Sequence, residues 1–199
     1  MDKAIILASG SPRRKELLAM AGISFEIFLP DVNEDPFSGE KPAQMVKRLS
    51  LEKAMAVLPR IGIGRGSFFI IAADTTVVSP SGKILGKPET RNQAIQMLRS
   101  LQGKVHQVYT GYTIIFAVSG KVVRKIKGVV GTRVHIRRMG KLEVERYVDL
   151  GESFDKAGAY AAQGFGMTII EKINGSYTNV VGLPMTEIVR DLKVLGWKP

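Results

Sequence analysis

The sequence has no cysteine among its 199 residues, and it has only two histidines and one tryptophan. Without cysteine the chain can form no disulfide, bind no metal through thiolates and use no cysteine nucleophile. The histidines, His106 and His135, are too few and too scattered for a zinc site, so we interpret both as structural. Long apolar runs are also missing near the N-terminus, where residues 4–8 are too few for a signal peptide or a membrane span. We therefore expect a cytoplasmic protein without a membrane partner.

Acidic residues are missing from the segment that holds most of the net charge of +11. Residues 121–141 contain eight Lys or Arg and no Asp or Glu. Apolar residues alternate with these cations, which predicts a half-buried hairpin with a basic outer face. No aromatic side chains lie between the charges, so a stacking platform for single-stranded nucleic acid is missing. We interpret the segment as a solvated surface, with binding of nucleic acid or a cell-division partner as the alternative.

Helical and strand periodicities alternate along the chain. The pattern predicts a single α/β domain over residues 1–199, with a mixed sheet because short turns join the middle strands. Predicted helices cover residues 12–18, 42–58, 90–101, 142–150 and 184–195. Predicted strands cover residues 4–8, 23–29, 68–78, 105–118, the basic hairpin, 167–173 and 178–181.

The first strand runs through Ser9 and Gly10 directly into a basic helix. Ser11 is a good N-cap and Pro12 suits the first helical position, so backbone N–H groups and the positive end of the helix dipole would face an anion. Arg13 and Arg14 would add charged hydrogen bonds to phosphates or to a base. The alternative is an ordinary strand-to-helix turn with solvated arginines.

Two charged residues interrupt otherwise apolar patterns. Asp74 lies in a strand that reads as buried, where an ionised carboxylate is costly unless a metal or a cation compensates it. The alternative is an Asp that caps a turn at a frayed strand end. Lys53 lies near the middle of the apolar stripe of the helix at 42–58. It either snorkels to solvent or directs its charge into a phosphate-binding cleft.

Two loops carry further charges, Glu34 and Lys87. A loop carboxylate and a strand carboxylate together with several cations fit metal-assisted attack on a phosphoanhydride. That chemistry needs oxygen ligands for Mg²⁺ or Mn²⁺, an activated water and positive groups around the triphosphate.

Seven segments, in order along almost the whole chain, resemble the Maf (septum formation inhibitor) family of nucleotide pyrophosphatases. They are residues 8–18, 73–78, 86–88, 109–111, 155–160, 163–164 and 173–184. The resemblance implies an elongated two-lobed fold with a central cleft, similar to inosine triphosphate pyrophosphatases, and a homodimer. It also implies metal-dependent hydrolysis of a nucleoside triphosphate between the α and β phosphates.

The resemblance assigns roles by matching position. Asp74 would be the catalytic carboxylate, acting as a general base or through the metal, with Glu34 as its partner and the second metal ligand. The remaining assignments concern the substrate. Ser9, Arg14 and the catalytic lysines Lys53 and Lys87 would hold phosphates, and Asp155 and Lys156 would line the cleft.

Three further positions separate two substrate types within the family. Arg13, Thr75 and Gln163 all match the type that cleaves dTTP and UTP. The amide of Gln163 offers a donor and an acceptor, which complement the O4 and N3–H of uracil or thymine. The resemblance therefore indicates dTTP, UTP or modified pyrimidine nucleotides, with 7-methyl-GTP or ITP and XTP as alternatives.

Overall fold

A computed structural model describes residues 3–61 and 63–198, and at residue 63 it describes the backbone alone. Over these residues the strands are β1 (Ala4–Leu7), β2 (Glu26–Ile27), β3 (Ser67–Val78), β4 (Ile84–Leu85), β5 (Lys104–Val118), β6 (Lys121–Ile136) and β7 (Ile170–Asn174). The α-helices are α1 (Pro12–Met20), α2 (Pro42–Val57), α3 (Arg91–Leu101), α4 (Lys141–Asp149), α5 (Tyr177–Val181) and α6 (Met185–Val194).

The strands follow the order β2-β1-β3-β5-β6-β7, and β4 pairs with β3. Strand β1 runs parallel to both β2 and β3, with Ile6 opposite Glu26 on one side and Ile70 on the other. Strand β4 is antiparallel to β3, and β7 is antiparallel to β6. The predicted α/β class with a mixed sheet is therefore confirmed, whereas the cleft stays a prediction.

Three predicted strands differ from the structure. The prediction at 178–181 is wrong, because Tyr177–Val181 is helical. Its β-branched residues favour a strand, but Ser176 accepts a hydrogen bond from the backbone N–H of Asn179 (3.2 Å) through its hydroxyl, and this local cap stabilises a helical turn. The strand at 23–29 shortens to Glu26–Ile27. The strand at 167–173 begins only at Ile170, because a 3₁₀ helix occupies Gly164–Thr168.

The chain divides into two compact units. The first comprises Met1–Asp74, Thr110–Val130 and Gly182–Pro199, and the second comprises Thr75–Tyr109 and Gly131–Val181. Strands β3, β5 and β6 each contribute residues to both units. The single domain over residues 1–199 stays a prediction.

One buried cluster of the first unit lies between helix α2 and the sheet. Alternate residues of β3, namely Phe68, Ile70 and Ala72, share one face and pack in one cluster with Ala54 and Val57 of α2. On β5 the residues Ile115 and Ala117 join the same cluster. Helix α2 therefore covers the even-numbered face of β3 and the odd-numbered face of β5.

Helix α2 contacts β5 at Gly111 with no side chain between the two backbones. A Cβ atom on Gly111 would lie 2.2 Å from the backbone oxygen of Val46, so only glycine permits this approach. One helical turn later, the hydroxyls of Ser50 and Thr113 lie 3.0 Å apart and share a hydrogen bond. These two contacts fix which face of α2 meets the sheet, and Lys53 lies on that face.

The core of the second unit forms between helices α3 and α4 and the sheet. Its buried residues include Leu98 and Leu101 of α3, Val144 and Val148 of α4, and Val134 and Ile136 of β6. An ion pair of Arg91 and Asp149 joins the two helices, with Nε 2.7 Å from Oδ1. Inside this core the ring nitrogen Nε2 of His106 lies 2.7 Å from the hydroxyl of Tyr160.

The first half of β6 is an exposed edge. No described strand pairs with its outer side over residues 121–130, since β7 begins its pairing at Arg133. Val122 and Val123, which point to opposite faces, are 39% and 55% exposed. The predicted hairpin within residues 121–141 is wrong, because Lys121–Ile136 is one continuous strand. Its predicted half-buried alternation holds only from Thr132 onward, where Thr132, Val134 and Ile136 are buried. Before that point the basic strand has side chains exposed to solvent on both of its faces.

Within the residues that the structure describes, none of the helices combines the length and the apolar character needed to cross a bilayer.

Burial of His106 makes the stability of the second unit depend on pH. Burial lowers the pKa of His106 to about 4, so the folded protein favours the neutral ring. The stabilisation is complete above the unfolded pKa of about 6.5 and is lost as the pH falls towards 4. We expect wild type to lose about 2 kcal/mol between pH 6.5 and 5 through this group, and His106→Gln to lack that loss. Melting temperatures at both pH values measure it.

The matched control is His135→Gln, because His135 is the only other histidine and its side chain is 32% exposed. This variant should keep most of the wild-type pH dependence, because burial is the main cause of the lowered pKa of His106 and the charge of His135 contributes less. Equal pH dependence in wild type and His106→Gln would contradict the role of His106.

Candidate active site

Asp74 lies inside strand β3 and points towards helix α2. It shares the strand face of Phe68, Ile70 and Ala72, since residues two apart in a strand lie on one face. The residue is only 6% exposed, and the strand continues beyond it to Val78. Asp74 is therefore an interior strand residue rather than a cap at a frayed end, and its carboxylate needs a compensating charge.

Lys53 provides that charge. Its ammonium lies 2.6 Å from Oδ1 of Asp74 and 2.8 Å from Oε1 of Glu34, and the residue is 5% exposed. Lys53 does not snorkel to bulk solvent, because its charge ends between two carboxylates. The apolar stripe of α2 therefore carries one ammonium group to the sheet, where β3 presents Asp74.

Glu34 reaches Lys53 from a loop, and its side chain is 60% exposed. Arg48 of α2 holds the next residues of this loop. Its guanidinium makes a bidentate ion pair with Glu40 (2.8 and 2.7 Å) and donates to the backbone oxygen of Asp35 at 3.1 Å. The same guanidinium stacks on Phe37, with 3.9 Å from Cζ to the ring centroid. The loop is thus attached to the helix that carries Lys53.

The turn after β1 holds a second cation, Arg14. Its Nη1 donates to the hydroxyl of Ser9 at 3.0 Å, and its Nε donates to the backbone oxygen of Gly182 at 2.8 Å. Burial lowers the pKa of the Arg14 guanidinium, while the carboxylates of Asp74 and Glu34 oppose that shift. The hydroxyl of Ser9 also accepts from the backbone N–H of Ser11 at 3.2 Å. The structure therefore brings Ser9 and Arg14 near the two carboxylates.

The predicted N-cap is only partly as expected. Helix α1 begins at Pro12 with Ser11 as its N-cap, but the hydroxyl of Ser11 makes no capping hydrogen bond. Arg13 lies on the first turn and is half-buried. The turn therefore has the expected backbone form, and its side-chain bonds centre on Ser9.

The other five predicted site residues belong to the second unit. Thr75 follows Asp74 on β3 and is half-buried, and Lys87 is exposed in the loop after β4. Asp155 and Lys156 form an ion pair of 2.5 Å. Gln163 is half-buried and stands directly before the 3₁₀ helix Gly164–Thr168.

Two of these second-unit loops are joined. The backbone N–H of Gly158 donates to the backbone oxygen of Gly86 at 3.0 Å, which links the Lys87 loop to the segment that carries Asp155 and Lys156. Gly158 also lies against Val77 of β3. Three segments that are distant in sequence are thus neighbours within this unit.

The donor set of the first unit fits a hard divalent cation. Across residues 3–61 and 63–198 no group of three or more His, Cys, Asp and Glu side chains could hold a metal ion. Asp74 and Glu34 nevertheless converge on one point, which Lys53 marks. Mg²⁺ usually takes only one or two carboxylates and completes its shell with water and substrate phosphates.

Sequence reasoning did not find Arg48. The signal was present, because Arg48 and Glu52 are spaced i,i+4 on a predicted helix and pair at 3.0 Å. The contacts that matter for the site involve Glu40 and a backbone oxygen eight or more residues away. No helical spacing reveals such contacts.

Comparison with known proteins gives a consistent result. The family model described as Maf-like protein matches residues 4–195. A dTTP/UTP pyrophosphatase of Geobacter metallireducens is 46% identical over 195 residues, which cover 98% of this chain and 97% of that protein. A dTTP/UTP pyrophosphatase of Thermoanaerobacter sp. is 46% identical over 190 residues, 95% of each chain. The Ham1 protein of Staphylococcus aureus has 13% identity and a TM-score of 0.44 over 84% of this chain and 80% of its own, a likeness too weak to carry an argument.

Removal of Lys53 should destabilise the fold. In Lys53→Met the carboxylate of Asp74 stays buried without its ammonium, and we expect the free energy of unfolding to fall by about 3 kcal/mol, or about 6 to 12 °C in melting temperature. The double variant Lys53→Met/Asp74→Asn removes both charges and should recover most of this loss. A Lys53→Met protein as stable as wild type would contradict the role of the pair.

Arg48 should hold the Glu34 loop in place. In Arg48→Ala the loop loses its ion pair, its backbone hydrogen bond and its stacking partner, so hydrogen exchange over residues 33–40 should accelerate by about tenfold or more. Lys47→Ala is the matched control, because Lys47 is the exposed neighbour on the same helix. Exchange that is equally slow in all three proteins would show that the loop is held by other contacts.

Proposed function

The chain belongs to the Maf-like protein family, and we propose that it is a nucleoside triphosphate pyrophosphatase that acts on dTTP and UTP. The observation that supports this most directly is the ammonium of Lys53 between the carboxylates of Asp74 and Glu34. The relatives named dTTP/UTP pyrophosphatase match nearly the full length of the chain, so the same reaction is the natural expectation.

We propose that the charged groups act on the triphosphate in two ways. Lys53 and Arg14 supply positive charge to the phosphates, which carry most of the charge in the transition state. Ser9 adds a hydroxyl, and by the family resemblance Lys87 would also hold phosphates. An incoming triphosphate also gives Lys53 new anionic partners. Asp74 and Glu34 are then available to hold a metal ion, and Asp74 is available to accept a proton.

We propose that Asp74 is the general base of the reaction. It holds a water molecule, takes one of its protons as the water oxygen bonds to the α phosphorus, and the bond from that phosphorus to the β-bridging oxygen breaks. The products are a nucleoside monophosphate and pyrophosphate. A bound Mg²⁺ or Mn²⁺, held by Asp74 and Glu34, would supply charge neutralisation and polarise the attacking water.

We propose that Arg13, Thr75 and Gln163 recognise the nucleobase of the substrate. The carboxamide of Gln163 can donate to O4 and accept from N3–H of uracil or thymine. Asp155 and Lys156 are proposed to line the same binding region. Their own ion pair would fix their positions relative to each other.

Further properties are proposed on the family resemblance. They are a homodimer, action on modified pyrimidine nucleotides and a cytoplasmic site of action. Sedimentation of the purified chain decides the first of them.

The first experiment is a panel of triphosphates with Mg²⁺ or Mn²⁺. We expect release of pyrophosphate from dTTP and UTP, little from CTP, 7-methyl-GTP, ITP or the ordinary purine triphosphates, and none after removal of the metal with EDTA. In Asp74→Asn the rate should fall about a hundredfold or more, because the base is lost while the shape is kept. Asp35→Asn, in the exposed loop beside Glu34, should retain the wild-type rate.

Each other outcome has a distinct meaning. Cleavage of purine nucleotides instead would agree with the proposed phosphate-binding residues. It would overturn the proposal that Arg13, Thr75 and Gln163 select uracil or thymine. An active Asp74→Asn protein would remove Asp74 from the mechanism. No cleavage of any triphosphate, together with strongly salt-dependent binding of nucleic acid, would favour the alternative that the basic residues 121–141 bind nucleic acid.

A further inference from the structure

Gln163 stands at the start of a short 3₁₀ helix whose cap comes from elsewhere in the chain. The side chain of Gln163 does not cap this helix, Gly164–Thr168. The acceptor is instead Oε1 of Glu152, which takes the backbone N–H of Phe165 at 3.1 Å. A helix start leaves several N–H groups without partners, and an N-cap side chain usually serves one of them. Here the side chain of Gln163, at the N-cap position, does not make this capping hydrogen bond.

The backbone of the turn around Gln163 lies in close contact with the carboxylate of Glu152. Gly164 has a φ of +60°, and a Cβ atom on it would lie 2.2 Å from Oε1 of Glu152. Two residues later, a Cβ atom on Gly166 would lie 1.8 Å from the backbone oxygen of Ala161. The backbone that follows Gln163 therefore lies close against both the carboxylate of Glu152 and the backbone oxygen of Ala161.

Glu152 also holds the segment of Asp155 and Lys156. Its backbone oxygen accepts a hydrogen bond from Nζ of Lys156 at 2.7 Å, and Lys156 pairs with Asp155. One residue thus contacts two of the second-unit segments that are proposed to meet the nucleotide, the turn of Gln163 and the segment of Asp155 and Lys156. The side chain of Glu152 binds the turn that carries Gln163, and the backbone oxygen of Glu152 binds Lys156.

The second carboxylate oxygen of Glu152 makes this arrangement costly. Oε2 is buried and has no hydrogen-bond partner among the described residues. A turn that needed only stability could use a Ser or Asn at the N-cap position itself, without a buried unpaired oxygen. Glu152 is a worse cap for the helix, but it permits a Gln at position 163.

We propose that Glu152 is a positioning residue for base selectivity, which fixes the backbone at Gln163 so that the carboxamide meets the pyrimidine edge in one orientation. This role rests on the proposed function. Glu152 itself does not touch the nucleotide. Its effect on the reaction passes through Gln163, so the two residues should be coupled.

The test is a double-variant cycle scored by substrate selectivity. We measure kcat/KM for dTTP and for CTP in wild type, Glu152→Ala, Gln163→Ala and the double variant. Loss of either side chain should lower the dTTP to CTP ratio by about tenfold, mainly through the KM of dTTP. The double variant should be no worse than Gln163→Ala within about twofold, because the two residues act as one unit.

Three further variants separate positioning from general stability. Glu152→Gln keeps an oxygen acceptor for the N–H of Phe165 and should restore the wild-type ratio. Gly164→Ala displaces the carboxylate and should reproduce the effect of Glu152→Ala, which keeps the proposal testable if Glu152→Ala does not fold. Glu171→Ala removes an exposed carboxylate of the same unit and should change nothing. Melting temperatures of all variants accompany the rates.

The outcomes distinguish this inference from the proposed function. If wild type cleaves no triphosphate, the proposed function fails. If wild type selects dTTP, and Glu152→Ala is less stable with an unchanged dTTP to CTP ratio, the positioning role is overturned and the pyrophosphatase stands. Additive effects of Glu152→Ala and Gln163→Ala on the ratio would overturn it as well.

Discussion

The buried ammonium of Lys53 is the interaction on which the first unit depends. A charge inside a protein is stable only with close opposite charges, and here Asp74 and Glu34 supply them from a strand and a loop. The requirement works in both directions, because without Lys53 the buried carboxylate of Asp74 loses the ammonium that lies 2.6 Å from its Oδ1. Helix, strand and loop are thereby fixed at one point. A triphosphate brings negative charge of its own, so the same ammonium that stabilises the empty fold is ready for the substrate.

Much of this site could be predicted from the sequence, because its two central residues each break a regular pattern. Asp74 interrupts an apolar strand, and Lys53 interrupts an apolar helical stripe. Their contact with each other could not be predicted, since it depends on how α2 is rotated over the sheet. Gly111 sets that rotation by letting the backbone of Val46 approach β5. The wrong strand at 178–181 has a comparable cause, because one serine hydroxyl outweighed the β-branched residues beside it.

The residues that escaped prediction share one property: their charged side chains bind backbone groups of distant segments. Arg48 holds the oxygen of Asp35, and Glu152 holds the N–H of Phe165. Arg14, which was predicted for its charge, also holds the oxygen of Gly182. Backbone groups are present at every position, so no sequence pattern marks where such a contact will form. The geometry of the loops therefore depends on residues whose sequence neighbours give no sign of their role.

The basic edge of β6 has a consequence for handling the protein. An unpaired strand edge with wet faces is a template for pairing with another copy, and lysine side chains are a common protection against it. Over residues 121–130 that protection is the repulsion of Lys121, Arg124, Lys125 and Lys127 from the same residues of a second molecule. Such repulsion extends about 10 Å at 0.1 M salt but only about 3 Å at 1 M. Concentrated salt therefore removes the barrier to aggregation, and dilute buffers preserve the colloidal stability of this chain.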